Sequence, residues 1–140
     1  IIEHIGFRLG RLGIKCTFSG VADYYMNQIN LAGGSDLVLA VSQSGSTKSV
    51  IDGVALAKQR SLKVIAITAY KNSSLAELAD YVIESKGDFS RFDFYRNYSH
   101  LCEMAVAEAL LDVLAKDEKV QAAVQEKNTD MLEFLSDMKL

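Results

Sequence analysis

Two short apolar runs, each followed by a helical pattern, constrain the fold of this chain more than any other feature of its sequence. The residues LVLAV occupy positions 37–41, and KVIAIT occupy positions 63–68. Unbroken apolar strands are typical of parallel sheets that helices cover on both faces. Because helical patterns separate the two runs, short right-handed crossovers are expected, and the sequence predicts a parallel α/β sheet.

The remaining segments extend this alternation. Strands are predicted over residues 14–19, 36–42, 63–68 and 81–84, and helices over residues 1–12, 24–31, 50–57, 74–79, 98–114 and 117–138. Gly13 is expected to end the first helix, and residues 87–97 to form a polar and aromatic loop. The predicted fold is a three-layer αβα sandwich with a parallel, flavodoxin-like doubly wound sheet. Such a sheet usually begins with a strand, so we expect the first strand to precede Ile1 in a longer parent protein.

The composition is that of one soluble globular domain. The 140 residues are 49% hydrophobic and 24% charged, with a net charge of −3. This charge argues against binding of nucleic acid or of an anionic membrane through bulk charge. Neither a long apolar run nor a signal peptide is visible, so a cytoplasmic protein is predicted. We expect residues 1–140 to form a single domain in which residues 116–140 are a C-terminal helical extension.

The chain has two cysteines, and neither is placed for metal binding. Cys16 and Cys102 lack a second cysteine or a histidine at metal-ligand spacing. We therefore expect both to be buried, reduced thiols. The sequence predicts neither a metal site nor a cofactor.

A turn rich in hydroxyl groups joins the first apolar run to the helix that follows it. Ser42, Ser44, Ser46 and Thr47 surround Gly45. A helix N-terminus offers free backbone N–H groups and a partial positive charge, and the hydroxyls add donors at the same point. Such a turn suits a phosphate monoester without any cation. The simpler interpretation is helix capping, which needs only one or two of these residues. The spacing is that of neither a P-loop nor a dinucleotide-binding turn.

The pattern S-x-S-G-x-T after a buried strand, followed by a strand ending in Thr68 and by S-x-L-A-x-x-A-D, resembles the SIS (sugar isomerase) domain family. The resemblance extends from the first helix to about Leu114. It implies phosphosugar binding by the turn, with four side chains holding the phosphate and two residues assisting: Ser42, Gln43, Ser44 and Thr47, with Ser46 and the backbone of Gly45. It also implies that the turn Asn72–Ser73–Ser74 approaches the sugar.

Within the family, the loop SGSTKSVI and the opening F-R-L-x-R-L-G-I-K look most like RpiR-type transcriptional regulators. The resemblance implies a domain that senses a sugar phosphate and modulates DNA binding by a separate helix-turn-helix domain. The expected partners are a sugar phosphate and a second copy of the chain, as a homodimer or a dimer of dimers. DNA would be contacted only through a domain that this chain does not contain, and no membrane partner is expected.

A phosphosugar aldose–ketose isomerase is the alternative function. Isomerisation requires a general base and an acid close to the substrate. Many SIS isomerases resemble S-x-S-G-E-T at the turn, whereas this chain has Ser46 in place of the glutamate. His100 and Glu103 are the candidate catalytic pair if the chain is an isomerase. His4 is expected to be a surface or interface residue. A purely structural pairing module, the third class, would leave the hydroxyl-rich turn unused.

Two further segments are expected to make contacts rather than to carry chemistry. The stretch RFDFYRNYSH, residues 91–100, interleaves arginines with aromatic residues and is expected to act as a lid or a subunit contact. The last helix is expected to pack on its own domain or on a partner subunit through an apolar stripe: Val120, Val124, Met131, Leu135 and Met138.

Overall fold

A computed structural model describes residues 1–86 and 99–138 of the chain, except for the side chains of Ser99 and His100. The described residues form three strands and six helices. In chain order these are α1 Ile2–Arg11, α2 Ala22–Leu31, β1 Leu37–Val41, α3 Lys48–Gln59, β2 Lys63–Thr68, α4 Ser74–Leu78, β3 Tyr81–Glu84, α5 Ser99–Ala115 and α6 Glu118–Met138.

The strands form one parallel sheet in the order β1-β2-β3. Val38 pairs with Val64, and Ile65 pairs with Tyr81. Helices α3 and α5 both contact β2. Successive side chains of a strand point to opposite faces, and β2 is buried over most of its length, so helices cover the sheet on both sides. The three-layer, doubly wound α/β prediction is confirmed.

The core lies on the α3 side of the sheet. Its buried cluster combines side chains of α3 and the helices beside it with alternate residues of the strands: Ile29, Ala40, Val54, Ala57, Leu62, Val64, Ala66 and Leu75. On the other face, Ala107 and Leu111 of α5 and Ile5 of α1 are buried. Because Ala107 and Leu111 are four residues apart, they lie on one face of α5. This packing fixes the sheet and leaves the carboxyl ends of its strands as the surface where loops converge.

The prediction of a strand over residues 14–19 is wrong. The helix α1 ends as expected, with Gly13 at a φ of +76°, but the residues that follow have no strand geometry. A strand requires a ladder of hydrogen bonds to a neighbour. Within the described residues, the backbone N–H of Ile14 bonds to Leu9 of the preceding helix, and no strand lies beside this segment. Strand propensity without a partner is insufficient.

Cys16 lies in this segment and is exposed, while Cys102 is partly buried. The prediction of two buried cysteines is therefore wrong for Cys16, because the segment packs against no strand.

Strand β1 is an edge of the described sheet. It pairs with β2 on one side, and on its other side the described residues provide no partner. Leu37 at its start is consequently 57% exposed. The unbroken apolar run therefore reflects burial of most of β2 but only partial burial of β1.

Helix α6 divides into two halves. Val120 and Val124, in its first half, are partly buried, whereas Met131, Leu135 and Met138 are exposed. The first half thus packs on the domain, and the apolar stripe continues beyond it without cover from the described residues. None of the helices in the described ranges is both long enough and apolar enough to span a bilayer.

Candidate functional site

The hydroxyl-rich turn begins as a continuation of the sheet. Beyond the last residue of β1, the N–H of Ser42 donates to the carbonyl of Ile67 at 3.0 Å. The N–H of Ala69 then donates to the carbonyl of Gln43, also at 3.0 Å. These two bonds hold the start of the turn against the carboxyl end of β2, where open α/β sheets bind ligands.

Ser42 and Thr47 close the turn from the inside. Their hydroxyl oxygens lie 3.1 Å apart, and Ser42 is buried. The N–H of Gly45 lies within hydrogen-bonding distance of both the hydroxyl and the carbonyl oxygen of Ser42, at 3.2 Å in each case. The Ser42 hydroxyl therefore bonds within the turn and fixes its shape.

Ser44 and Ser46 form the outer rim of the turn. Both are exposed, and the Ser46 hydroxyl donates to the Ser44 hydroxyl at 3.1 Å. The backbone N–H of Ser46 also points to the Ser44 hydroxyl, at 3.2 Å. Gln43 between the rim and the sheet is partly buried. An oxyanion outside the turn would thus meet two hydroxyls that are already held side by side.

Gly45 is required by both backbone conformation and space. Its φ is +64°, a region that side chains disfavour. A Cβ atom at this position would collide with Ser73 and would lie 2.8 Å from the hydroxyl of Thr68. The carbonyl of Gly45 accepts from the N–H of Leu75 at 3.0 Å. The loop after β2 therefore supports the turn from behind, and only glycine permits this approach.

The N-terminus of α3 is open, which bears directly on the capping interpretation. Thr47 occupies the N-cap position, but among the described residues its side chain accepts no hydrogen bond from the helix backbone. By contrast, Ser73 caps α4 by accepting from the N–H of Ala76 at 3.3 Å. The hydroxyls of the hydroxyl-rich turn thus bond to each other, and the N–H groups at the start of α3 remain available to a ligand.

Lys48 adds a positive charge at this end of α3. Its ammonium group lies 2.7 Å from the carboxylate of Asp52, one helical turn along. This hydrogen bond and the charge of Asp52 raise the pKa of Lys48 above its ordinary value. Lys48 therefore lies next to the turn as one half of an ion pair whose other half is Asp52.

Ser85 and Glu103 are two buried polar residues on the α5 side of the site, and Ser85 is one that the sequence analysis missed. Each is only 3% exposed. The N–H of Ser85 donates to the carbonyl of Thr68 at 2.8 Å, which places Ser85 at the carboxyl end of β3. Within residues 1–86 and 99–138 its hydroxyl has no hydrogen-bonding partner. A serine directly after a predicted strand, at the same edge of the sheet as the turn, is the signal that could have identified it.

The proposed catalytic pair is only partly visible. Glu103 lies one helical turn before Ala107 on the buried face of α5. The side chain of His100 and the residues 87–98 lie outside the described part of the chain, so the pairing of His100 with Glu103 and the lid over residues 91–100 stay predictions.

His4 is bound between two helices, away from the turn. Its Nε2 lies 2.5 Å from a carboxylate oxygen of Glu108, and Arg8 contacts both oxygens of that carboxylate at 3.0 Å. The hydrogen bond to His4 and the guanidinium of Arg8 lower the pKa of Glu108. The group attaches α1 to α5 within the chain and leaves His4 partly exposed, and an interface role for His4 stays a prediction.

One family model and several known proteins are similar to this chain. The sequence matches the family described as SIS domain over residues 3–90. It is 40% identical to the HTH-type transcriptional regulator RpiR of Escherichia coli K12 over 73 residues, which cover 52% of this chain and 25% of that protein. It is also 31% identical to the phosphoheptose isomerase of Thermodesulfovibrio yellowstonii over 104 residues, covering 71% of this chain and 51% of the isomerase.

A solved structure of the Vibrio vulnificus NanR protein, complexed with ManNAc-6P, superposes with a TM-score of 0.78. It shares 23% of its sequence with this chain over 94% of the chain and 50% of NanR. At this identity the similarity establishes the fold. The chain spans a quarter of RpiR and about half of the isomerase. The family match covers more than half of the chain and includes the turn at Ser42–Thr47, and the chain belongs to the SIS domain family.

Proposed function

We propose that this chain is the sugar-phosphate-sensing domain of an RpiR-type transcriptional regulator. The observation that carries the proposal is the open N-terminus of α3 beside the Ser44–Ser46 rim. The hydroxyls satisfy one another, and the N–H groups at the helix start keep their capacity to bind an anion. In a regulator of this kind, the helix-turn-helix domain that contacts DNA would belong to another part of a longer protein.

Each residue of the turn has a distinct role in this proposal. Ser44 and Thr47 donate hydroxyl hydrogen bonds to the phosphate, together with the amide of Gln43. Ser46 turns its hydroxyl from Ser44 to the phosphate when the ligand binds. Ser42 is buried and holds Thr47 and Gly45 in place. Gly45 lets the loop after β2 approach. Hydrogen bonds to a charged acceptor are worth about 1.5–3 kcal/mol each, so a few of them suffice to hold a phosphate monoester.

The comparisons support the regulator in preference to an unspecified binding protein. RpiR is the relative with 40% identity, and the NanR structure shows a sugar phosphate bound to a protein with this fold. The acidic net charge of −3 is consistent with a ligand-binding domain that leaves DNA contact to another domain.

The signal would pass from the turn to the packing of two copies. A ligand shifts a conformational equilibrium only through a difference in its affinity for two states. We infer that the phosphate favours one arrangement of a homodimer, and that this arrangement sets the spacing of the attached DNA-binding domains. The parent protein should therefore bind its operator with different affinity in the presence and absence of its sugar phosphate.

The homodimer is proposed to form through the second half of α6, with residues 116–140 as an extension of the single domain. Its exposed apolar side chains are Met131, Leu132, Phe134, Leu135 and Met138. Before residue 128 the described helix carries two lysines and two glutamates, and after it three acidic residues: Asp130, Glu133 and Asp137. The exposed apolar stripe continues past the part of α6 that packs on the domain, and a second copy would cover it with the same stripe of its own, so a second copy is the proposed partner.

An aldose–ketose isomerase is the second candidate, and buried Glu103 favours it. Glu103 is 3% exposed on the buried face of α5, and a carboxylate there is a candidate general base. The similarity to a phosphoheptose isomerase also supports this alternative. Ser46 argues against it, because many SIS isomerases resemble S-x-S-G-E-T at the turn and have a glutamate at this position.

The test is calorimetric binding of a panel of aldose and ketose phosphates to the 140-residue chain, with an assay for turnover of every ligand that binds. A Ser44→Ala/Ser46→Ala variant should bind at least tenfold more weakly. Ser35→Ala, at an exposed serine just before the amino end of β1, is the control and should bind normally. Binding without turnover supports the sensor. Turnover that Glu103→Gln abolishes would establish the isomerase, and the absence of any binding would reject both functions.

A further inference from the structure

A second polar groove lies beside the hydroxyl-rich turn, at the carboxyl ends of β2 and β3. It encloses about 130 Å³ and is lined by the loop after β2 and by the end of β3: Ala69, Tyr70, Lys71, Asn72, Glu84 and Lys86. None of these residues belongs to the turn at Ser42–Thr47, and the turn does not account for their chemistry.

The groove and the turn share one structural support. The N–H of Ala69 bonds to Gln43, and Ser73 packs against Gly45, so the loop over residues 69–73 separates the two sites and contacts the turn directly. Neighbouring strands lie about 4.8 Å apart, so the end of β3 is roughly 10 Å from the end of β1. This separation matches the length of a sugar phosphate, whose phosphate would occupy the turn while its far end reached the groove.

The charges of the groove favour an anion. Lys71 and Lys86 form no ion pair with any residue in the described ranges, and Glu84 supplies one opposing charge. The groove therefore carries a net charge of +1 in a chain whose net charge is −3. Four other lysines in the described ranges have a carboxylate within 4.0 Å: Lys48, Lys58, Lys63 and Lys116.

Tyr70 holds one of the two lysines of the groove in place. Its ring is 53% exposed, and the ammonium group of Lys86 lies 5.9 Å from the centre of the ring. This distance is within the range of a cation–π contact, which orients the charge of Lys86. The remaining ring surface can pack against a sugar, and the amide of Asn72 can bond to its hydroxyls.

We propose that this groove binds a second anionic group, a carboxylate or a second phosphate, at the end of the sugar phosphate remote from the turn. Lys71 and Lys86 bind the second anion, and Tyr70 contacts the carbon chain between the two sites. The ligand class is thus an acidic sugar phosphate or a sugar bisphosphate rather than a monophosphate whose sugar part is uncharged. The proposal rests on the proposed function, because it assigns the first phosphate to the turn.

The test measures binding of two matched pairs of ligands to the 140-residue chain by calorimetry. Sorbitol 6-phosphate and 6-phosphogluconate are both acyclic and differ by a carboxylate. Fructose 6-phosphate and fructose 1,6-bisphosphate differ by a phosphate. We expect the second member of at least one pair to bind about tenfold more tightly, and the pair that shows the gain identifies the anion. The gain should shrink as salt is raised, because exposed charges are screened.

Two double variants assign the gain to the groove. In Lys71→Gln/Lys86→Gln the two members of the pair should bind equally. Their affinity should equal that of the wild type for the member that lacks the second anion. Lys63→Gln/Lys119→Gln removes the same charge from the opposite end of β2 and from α6, and it should keep the tenfold gain.

Equal binding within both pairs by the wild-type chain would overturn this inference and leave the proposed function standing. A gain that survives in Lys71→Gln/Lys86→Gln would also overturn it. If none of the four ligands binds, and no sugar phosphate of the panel binds either, the proposed function itself is rejected.

Discussion

The hydroxyl of Ser42 lies 3.1 Å from the hydroxyl of Thr47, and it also receives the N–H of Gly45 at 3.2 Å. Five residues apart in sequence, Ser42 and Thr47 bridge the two ends of the turn that joins β1 to α3. Two of the serines that look equivalent in the sequence therefore differ in role: Ser42 is buried and shapes the turn, while Ser44 is exposed on its rim.

Ser42→Ala and Ser44→Ala should separate stability from binding. Ser42→Ala leaves the N–H of Gly45 with a weaker partner and should lower the free energy of unfolding by about 1–2 kcal/mol. Ser44→Ala removes an exposed hydroxyl and should change that free energy by less than about 0.5 kcal/mol, while it weakens sugar-phosphate binding. Urea unfolding and calorimetry measure the two effects. Equal losses of stability in both variants would contradict the division of roles.

Gly45→Ala should destabilise the chain strongly. An alanine would have to adopt a positive φ, which costs about 1–2 kcal/mol, and its Cβ would also displace Ser73 from Gly45. We expect a loss of more than about 2 kcal/mol in urea unfolding. Gly34→Ala is the matched control, because a Cβ at Gly34 meets no atom within 4 Å. A Gly45→Ala chain as stable as the control would show that the loop after β2 does not press on the turn.

The carboxylate of Glu108 should make the stability of the chain depend on pH on the acidic side. The hydrogen bond from His4 and the guanidinium of Arg8 lower the pKa of Glu108 in the folded state below its ordinary value of 4.5. Its stabilisation is complete above that ordinary value and is lost as the pH falls through the lower folded pKa. Glu108→Gln should therefore be less stable than the wild type at neutral pH, and the difference should vanish in acid.

Thermal unfolding of both chains across this pH range tests the expectation. A difference between wild type and Glu108→Gln that stays constant as the pH falls would show that the carboxylate charge does not attach α1 to α5.

Charges placed in the second half of α6 should prevent dimer formation. Met131→Glu/Leu135→Glu introduces two carboxylates into the exposed apolar stripe and adds to the acidic residues nearby. Sedimentation should show a dimer for the wild type and a monomer for this variant, with unchanged helix content. Val113→Glu, at an exposed apolar position of α5, is the control and should remain dimeric. A monomeric wild type, or a dimeric double variant, would reject α6 as the interface.

Most of the fold could be predicted from the sequence, because the apolar runs and the helical periodicity lie in the same segments as the strands and helices of the structure. Strands β2 and β3 have the predicted bounds, since each run is apolar and ends at polar or turn residues. The segment at residues 14–19 has a similar composition and is not a strand. Its composition reports only a preference, and a strand also needs a neighbour, which depends on residues far away in sequence.

For the site, the hydroxyl groups around Gly45 at the end of a strand are visible in the sequence alone, because strand, turn and helix are contiguous in the chain. Which of these hydroxyls face inward depends on contacts with residues far along the chain, the carbonyl of Ile67 in the neighbouring strand and Ser73 in the loop after it. The tertiary structure likewise brought Lys71 and Lys86 to one groove although 15 residues separate them. Parallel strands bring their carboxyl ends to one edge, so residues distant in sequence meet there. A local sequence pattern does not predict which of these residues come into contact.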